Sequence, residues 1–307
     1  MPRRNLGLHF QRCCLNAAHI SNRRAAKLKN QFCQRFPLRQ MVLRVNGLAV
    51  NAGLRHNRAM AKPSTLNARD NAHFAAFSDD WWDEGGDLFT LHQLNPVRLS
   101  ALRTAVLAHF GGKPNDLNWL KGKAVLDLGC GGGVLAEPMA RLGGTVTGID
   151  VGKESIAAAK RHAKAGGLDI TYKVSTAEAE AKGKARYDIV VASEVIEHVE
   201  NPALFIASAA KLLKPGGLFF LTTLNRTPQS FALAIVGAEY LLGIIPRGTH
   251  SWQKFLKPSE VSALLRENGL TLGGISGARF NPLSRQLSAH PTDTSVNYLL
   301  WATKPKR

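Results

Sequence analysis

Val125-Leu126-Asp127-Leu128-Gly129-Cys130-Gly131-Gly132-Gly133 is the stretch on which the rest of the chain turns. Its first four residues form a short apolar run suited to a buried parallel strand. The run breaks into glycines, and residues 134–142 then read as a helix. A strand that turns tightly into a helix leaves backbone N–H groups and the positive end of a dipole facing a crevice. Glycines there remove the Cβ atoms that would hold a ligand off the backbone. A second apolar run, 145–149, ends in Asp150. An acid at that place can accept hydrogen bonds from both hydroxyls of a ribose.

Outward from this unit, strands alternate with helices. Strands are expected at 124–128, 145–149, 170–174, 187–193 and 218–223, and the last two at 270–276 and 297–303, joined by a long connection containing Asn281-Pro282. Helices are expected at 134–142, 153–165, 202–213 and 258–268, with Gly166-Gly167 and Gly216-Gly217 as C-terminal punctuation. This alternation predicts an α/β fold, a doubly wound, mostly parallel seven-stranded Rossmann-like sheet. Asn95-Pro96 has the form of an N-cap and first helical residue, so a helix is expected from there to about His109. Trp81 and Trp82 precede it, either packed on the sheet or closing over a planar substrate.

The formal charge is +18 over 307 residues, but it is unevenly spread. No acid occurs before Asp70, and residues 1–62 alone carry +13. The basic character therefore belongs to a tail, and nucleic-acid binding is not expected. Residues 1–65 lack the apolar core of a secretory signal. They read either as a mitochondrial transit peptide, poor in serine for that class, or as an extension outside the working protein, with Met60 as its start. Residues 66–307 form the domain. The four cysteines, Cys13, Cys14, Cys33 and Cys130, make no metal or disulfide pattern. Cys130 fits a small packing residue better than a nucleophile. No apolar run is long enough to span a bilayer.

Residues 225–257 interrupt the alternation. Fifteen residues, 231–245, hold one charge, Glu239, and are apolar nearly all round. Arg226, Arg247, Lys254 and Lys257 flank them. A surface helix that docks on an anionic membrane fits this pattern, as does a helix buried in a cap.

Gly131 to Ala136 also satisfies G-x-G-x-x-A, so a nicotinamide or flavin dehydrogenase enters on that motif alone. Three features favour S-adenosylmethionine (SAM) instead. Asp127 at the strand end suits an ammonium and would repel a pyrophosphate. The fourth strand, from Tyr187 to Ser193, ends beside the crevice. Leu212-Leu213-Lys214-Pro215-Gly216-Gly217 leads into the fifth. Together these resemble the class I SAM-dependent methyltransferases.

A closer resemblance runs through Trp81-Trp82-Asp83, Leu94-Asn95-Pro96-Val97-Arg98, Glu194-Val195-Ile196-Glu197-His198-Val199, Thr223-Leu224-Asn225-Arg226, Val236-Gly237-Ala238-Glu239-Tyr240, Arg247-Gly248-Thr249-His250 and Val296-Asn297-Tyr298. These segments resemble the ubiquinone-biosynthesis O-methyltransferases. The resemblance implies O-methylation of polyprenylated catechols and demethylubiquinol. It implies cofactor contacts at Arg98, Asp127, Gly129, Gly131, Asp150 and Ser193, with Arg98 on the methionine carboxylate. It also implies a divalent metal, such as Mg²⁺, at Glu194, Glu197 and His198. On a helix those three share one face, and their oxygen-rich set suits a hard ion. His250 is a candidate general base, or an ordinary loop histidine.

The implied partners are a polyprenyl phenol or quinol, an anionic membrane surface through 225–257 and a ubiquinone-biosynthesis complex. The implied location is the cytoplasmic face of a bacterial membrane, or the matrix side of the mitochondrial inner membrane if 1–65 is a transit peptide. Methylation of another small phenol, or an inactive SAM-binding scaffold, are the alternatives in function.

Overall fold

The computed structural model describes residues 64–67, 70, 80–86, 88–233, 235, 251–281 and 286–306. All lie in a compact unit that begins at Met60. The basic tail and His250 fall outside them, as do His73, Phe74, Phe77 and most of the apolar run after Leu233.

The chain enters through a long helix, α1 (Phe89–Phe110). The core then alternates β1 (Ala124–Leu128), α2 (Ala136–Arg141), β2 (Thr145–Asp150), α3 (Lys153–Ala165), β3 (Thr171–Val174), α4 (Ala177–Glu180), β4 (Tyr187–Ser193), α5 (Pro202–Leu212) and β5 (Leu213–Leu224). A short α6 (Pro228–Ser230) follows, then α7 (Pro258–Glu267), β6 (Thr271–Asn281), β7 (Gln286–His290) and β8 (Asn297–Thr303). The sheet order is β3-β2-β1-β4-β5-β8-β6-β7. The first five strands are parallel, and β8, β6 and β7 are antiparallel to their neighbours. The expected doubly wound α/β fold is present, with eight strands in place of seven. The extra one, β7, folds back on β6 between Gly277 and Asn281, within the span expected to be a long connection.

Strand alternation divides the core into two layers. Leu126, Leu128, Val190, Ala192, Phe219 and Leu221 face the layer that includes α5 and α7. Val125, Ile189, Val191, Leu218 and Phe220 face the other, with Val97, Leu102 and Ala105 of α1. That second layer decides the site. By the same alternation, Asp127, Ser193 and Thr222 point to the α1 side at the carboxyl ends of β1, β4 and β5.

Two expectations need correction. The helix expected from Asn95-Pro96 starts at Phe89, and Pro96 lies inside it. Proline there returns no hydrogen bond to the carbonyl four residues back; one turn away, the Arg98 guanidinium donates to the Leu91 carbonyl at 3.3 Å. The helical face expected for Glu194, Glu197 and His198 does not form. Glu194 adopts a left-handed backbone (φ 53°), and only Ile196–His198 make a single 3₁₀ turn. After β5 comes the three-residue α6, and the first residues of the apolar run, Phe231 to Leu233 and Ile235, continue it with π-helical hydrogen bonding; the rest of the helix expected over 231–245 lies outside the described residues. Among the described residues no helix is long and apolar enough to cross a membrane.

Candidate functional site

The carboxyl edge of the parallel strands carries a cluster of buried charge. Asp127 is 2% exposed at the end of β1, and Arg98 is 3% exposed on α1. Burial pushes the Asp127 carboxyl up to about 7, and the negative charge of Asp150 adds to the rise, while Arg98 holds it down. Burial lowers the Arg98 guanidinium from its usual range, against the attraction of Glu194, Asp127 and Glu197. Its Nη1 is engaged, donating to the Leu91 carbonyl and to Asn95 Oδ1 at 3.4 Å. Nη2 lies 3.8 Å from Glu194 Oε1, an ion pair too long for a good hydrogen bond. Among the described residues Arg98 Nε and Nη2 and Asp127 Oδ2 find no hydrogen-bond partner. Two open donors on a cation beside an open acceptor on a carboxylate match the carboxylate and ammonium of an amino acid.

Asp150 closes the other end. Its Oδ2 accepts the Gly131 N–H at 2.9 Å and its Oδ1 the Gly152 N–H at 2.7 Å. Burial raises this carboxyl and the backbone donors restrain it. Each oxygen keeps a second lone pair for a ribose hydroxyl. Gly129 and Cys130 are fixed from behind, both donating to the Ile149 carbonyl at 2.8 and 3.0 Å. The arrangement thus fits the sequence assignment of Arg98, Asp127, Gly129, Gly131 and Asp150 to one amino-acid-bearing nucleoside.

The glycines also serve the protein's own packing. Gly129 (φ 70°) and Gly131 (φ 52°) have left-handed backbones. A Cβ on Gly129 would come within 2.5 Å of the Val195 side chain, and one on Gly131 within 2.2 Å of the Trp81 ring. Trp81 and Trp82 are therefore fastened over the turn. Trp82 Nε1 donates to the Gly132 carbonyl at 3.0 Å, and its ring stacks on His162 at 3.5 Å, which in turn donates to buried Glu137 at 2.7 Å.

Ser193 does not stand alone at the end of β4. Its hydroxyl bonds Thr222 Oγ1 at 2.8 Å, and Thr222 donates to Glu194 Oε1 at 2.7 Å. This chain connects Ser193 through Thr222 and Glu194 to Arg98. Thr222 was not legible as a site residue. It reaches the crevice because β4 and β5 pair Ser193 with Thr222.

The three residues expected to hold a metal go different ways. Glu194 is committed to Thr222 and Arg98 on the α1 side. Glu197 is buried beyond the next residue of β5, Thr223, which points to the opposite face. Its carboxyl is pushed up to about 8 by burial and by the charge of Glu194, and neither of its oxygens has a hydrogen-bond partner among the described residues. His198 turns to Asp70, with Nδ1 donating at 3.2 Å. Among the described residues no group of three His, Cys, Asp or Glu side chains converges to hold an ion. The E-x-x-E-H set as placed here does not fit a metal centre.

A family model described as a methyltransferase domain matches residues 99–273. Solved structures agree on the fold. A magnesium protoporphyrin IX methyltransferase from Synechocystis PCC 6803, crystallised with S-adenosylhomocysteine, superposes with a TM-score of 0.53 at 21% identity, covering 76% of this chain and 97% of that one. A SAM-dependent methyltransferase from Thermotoga maritima gives 0.51 at 18% identity, over 76% and 99%. Curated sequences lie much nearer. The ubiquinone biosynthesis O-methyltransferase of Methylobacterium sp. (strain 4-46) is 46% identical over 241 residues, 78% of this chain and 96% of the relative. That of Caulobacter vibrioides is 45% identical over 248 residues, 80% and 98%. With nearly the full length of these relatives matched at 45–46% identity, the chain belongs to the ubiquinone-biosynthesis O-methyltransferase family.

Proposed function

We propose that this chain is a SAM-dependent O-methyltransferase of ubiquinone biosynthesis, acting on the hydroxyl of a polyprenylated catechol or demethylubiquinol. The observation that carries the reading is the pair of buried, open polar groups on Arg98 and Asp127, set across the glycine turn from Asp150. Arg98 holds the methionine carboxylate, Asp127 the ammonium and Asp150 the ribose hydroxyls. When bound, SAM supplies a methyl group on a sulfonium, ready for in-line transfer to an oxygen. The chain's part is to align the acceptor, exclude water and remove a phenolic proton. His250 is proposed for the third; it lies outside the described residues.

The divalent cation implied by the resemblance has no ligand set among the described residues, and no step is routed through it. Loss of turnover in EDTA with recovery on Mg²⁺ would show that Glu194, Glu197 and His198 rearrange to hold one.

The acceptor implied by this reading is nearly insoluble, so we propose that residues 225–257 dock on an anionic membrane from the cytoplasmic side. In support, Phe231 and Leu233 at the start of this segment are 45% and 59% exposed. They follow β5 by way of α6, and an exposed apolar pair there can enter a lipid interface; Arg226 and Lys254 of the same segment pair within the protein, with Glu260 and with Asp70 and Glu200. The functional test is methyl transfer from labelled SAM to a short-chain demethylubiquinol. Transfer to the quinol supports the reading; SAM binding without transfer to any catechol would make the chain a scaffold.

A further inference from the structure

We propose that the Trp81 indole forms the wall of the SAM site that faces the sulfonium, and that it sets the preference for SAM over the demethylated product. The inference rests on the SAM reading above. Trp81 is only 7% exposed and lies along the glycine turn. A Cβ on Gly132 would come within 2.3 Å of its Cγ, and one on Gly131 within 2.2 Å of the far edge of its six-membered ring. Gly131 is the residue whose N–H reaches Asp150. The indole thus stands over the stretch of backbone that connects the amino-acid anchor, Asp127, to the ribose anchor, Asp150.

The covalent order of SAM is amino acid, sulfonium, ribose. A molecule held by its amino-acid end at Arg98 and Asp127 and by its ribose at Asp150 has its sulfonium between them, opposite this stretch. The face of an indole carries negative electrostatic potential and attracts a desolvated cation. The product carries a neutral thioether at the same place, so the attraction is lost after transfer.

The two tryptophans differ in how they are held. Trp82 is tied at its nitrogen to Gly132 and stacked on His162. Trp81 is fixed through its backbone, whose carbonyl accepts from His92 Nε2 at 2.9 Å. Its own indole N–H is buried with no partner among the described residues. The ring packs with Leu88, Val134 and Ala158, yet a ring lying along the glycine turn with a buried, open donor has a polar group that packing alone does not satisfy.

The test is calorimetric titration of SAM and of S-adenosylhomocysteine into the full chain, in wild type, Trp81→Leu and Trp81→Phe. Trp81→Leu should weaken SAM about 3- to 30-fold, the range of a desolvated cation–π contact, and weaken the product less, so that the affinity ratio falls. Trp81→Phe should retain most of the ratio. If Trp81→Leu does not fold, as judged by circular dichroism, the wild type grown on fluorotryptophan replaces it. Fluorination drains the ring face, so SAM affinity should drop and product affinity should not, and Trp81→Phe protein grown the same way should lack the drop. Equal losses for the two ligands would mean core packing and overturn the proposal. Tighter SAM binding by Trp81→Leu would mean that the indole competes with the cofactor, and would also overturn it. A wild type that binds no SAM would overturn the SAM reading itself, and this inference with it.

Discussion

Arg98 reaches Glu194 across the end of the sheet at 3.8 Å and still keeps two nitrogens unbonded among the described residues. A buried guanidinium is costly unless paired, and this one is only half paired. On the proposed function, the missing partner is the ligand carboxylate. Arg98→Met, which preserves much of the side-chain volume, should therefore weaken SAM by about 30-fold or more, since removing one partner of a buried charged pair costs about 2–5 kcal/mol. Calorimetry checks this directly. Unchanged affinity would take Arg98 out of the site.

Asp127 and Glu197 give the ligand-free protein an unusual pH profile. Both carboxyls are raised, from 3.8 to about 7 and from 4.5 to about 8. Between the unfolded and folded values the native chain keeps a proton that the unfolded chain has lost. Stability conferred at low pH is therefore lost as pH rises through those windows. The melting temperature should fall from pH 5 to pH 8. Asp127→Asn should flatten the part of the slope below about pH 7, and Glu197→Gln the part that extends to about pH 8. A profile that is flat in the wild type would contradict the burial of these acids. SAM affinity should run the other way, rising toward pH 8 as Asp127 ionises to meet the ammonium.

Much of this architecture could be read from the sequence, and the failures have local causes. The parallel core was legible because its strands are continuous apolar runs, buried on both faces and separated by glycine punctuation. Asp127 and Asp150 stood out because an acid at the end of such a run has little structural reason to be there. The start of α1 was misplaced because Asn95-Pro96 has the form of a helix start, while the side-chain hydrogen bond from Arg98 to the Leu91 carbonyl within the helix leaves no pattern in the sequence. The hairpin of β6 and β7 was missed because Asn281-Pro282 reads as a loop. The E-x-x-E-H motif was misread because no pattern signals a left-handed glutamate. Once Glu194 turns that way, Thr222 and Thr223, facing opposite sides of β5, separate Glu194 from Glu197. Thr222 itself was invisible, since only strand pairing brings it to Ser193.

Thr222 supplies a prediction of its own. Thr222→Val keeps the shape and removes the hydroxyl that joins Ser193 to Glu194. Leaving buried polar groups unpaired costs about 1–3 kcal/mol, so denaturant unfolding should show a loss of that size. Thr222→Ser should recover most of it. Equal stability of Thr222→Val and wild type would remove the relay.

The exposed apolar pair after β5 separates membrane docking from burial. Leu233→Glu should weaken co-sedimentation with anionic liposomes and leave the melting temperature nearly unchanged, because Leu233 is 59% exposed; adding Phe231→Glu should abolish co-sedimentation at a small cost in stability, since the Phe231 ring also packs edge-on against Trp252. Unfolding of the double variant, or a wild type that ignores anionic liposomes at low salt, would refute the docking role.

The proposed function stands or falls on the identity of the acceptor. The most direct measurement is the ratio of kcat/KM for a short-chain prenylated demethylubiquinol to that for unprenylated catechol, with methyl-labelled SAM and the product located by mass spectrometry. The account predicts one labelled methyl on the quinol oxygen and a ratio well above ten, since even partial burial of a prenyl unit, at about 0.8 kcal/mol per CH₂, exceeds the 1.4 kcal/mol of a tenfold preference. A ratio near one, or label on carbon or nitrogen, would contradict it.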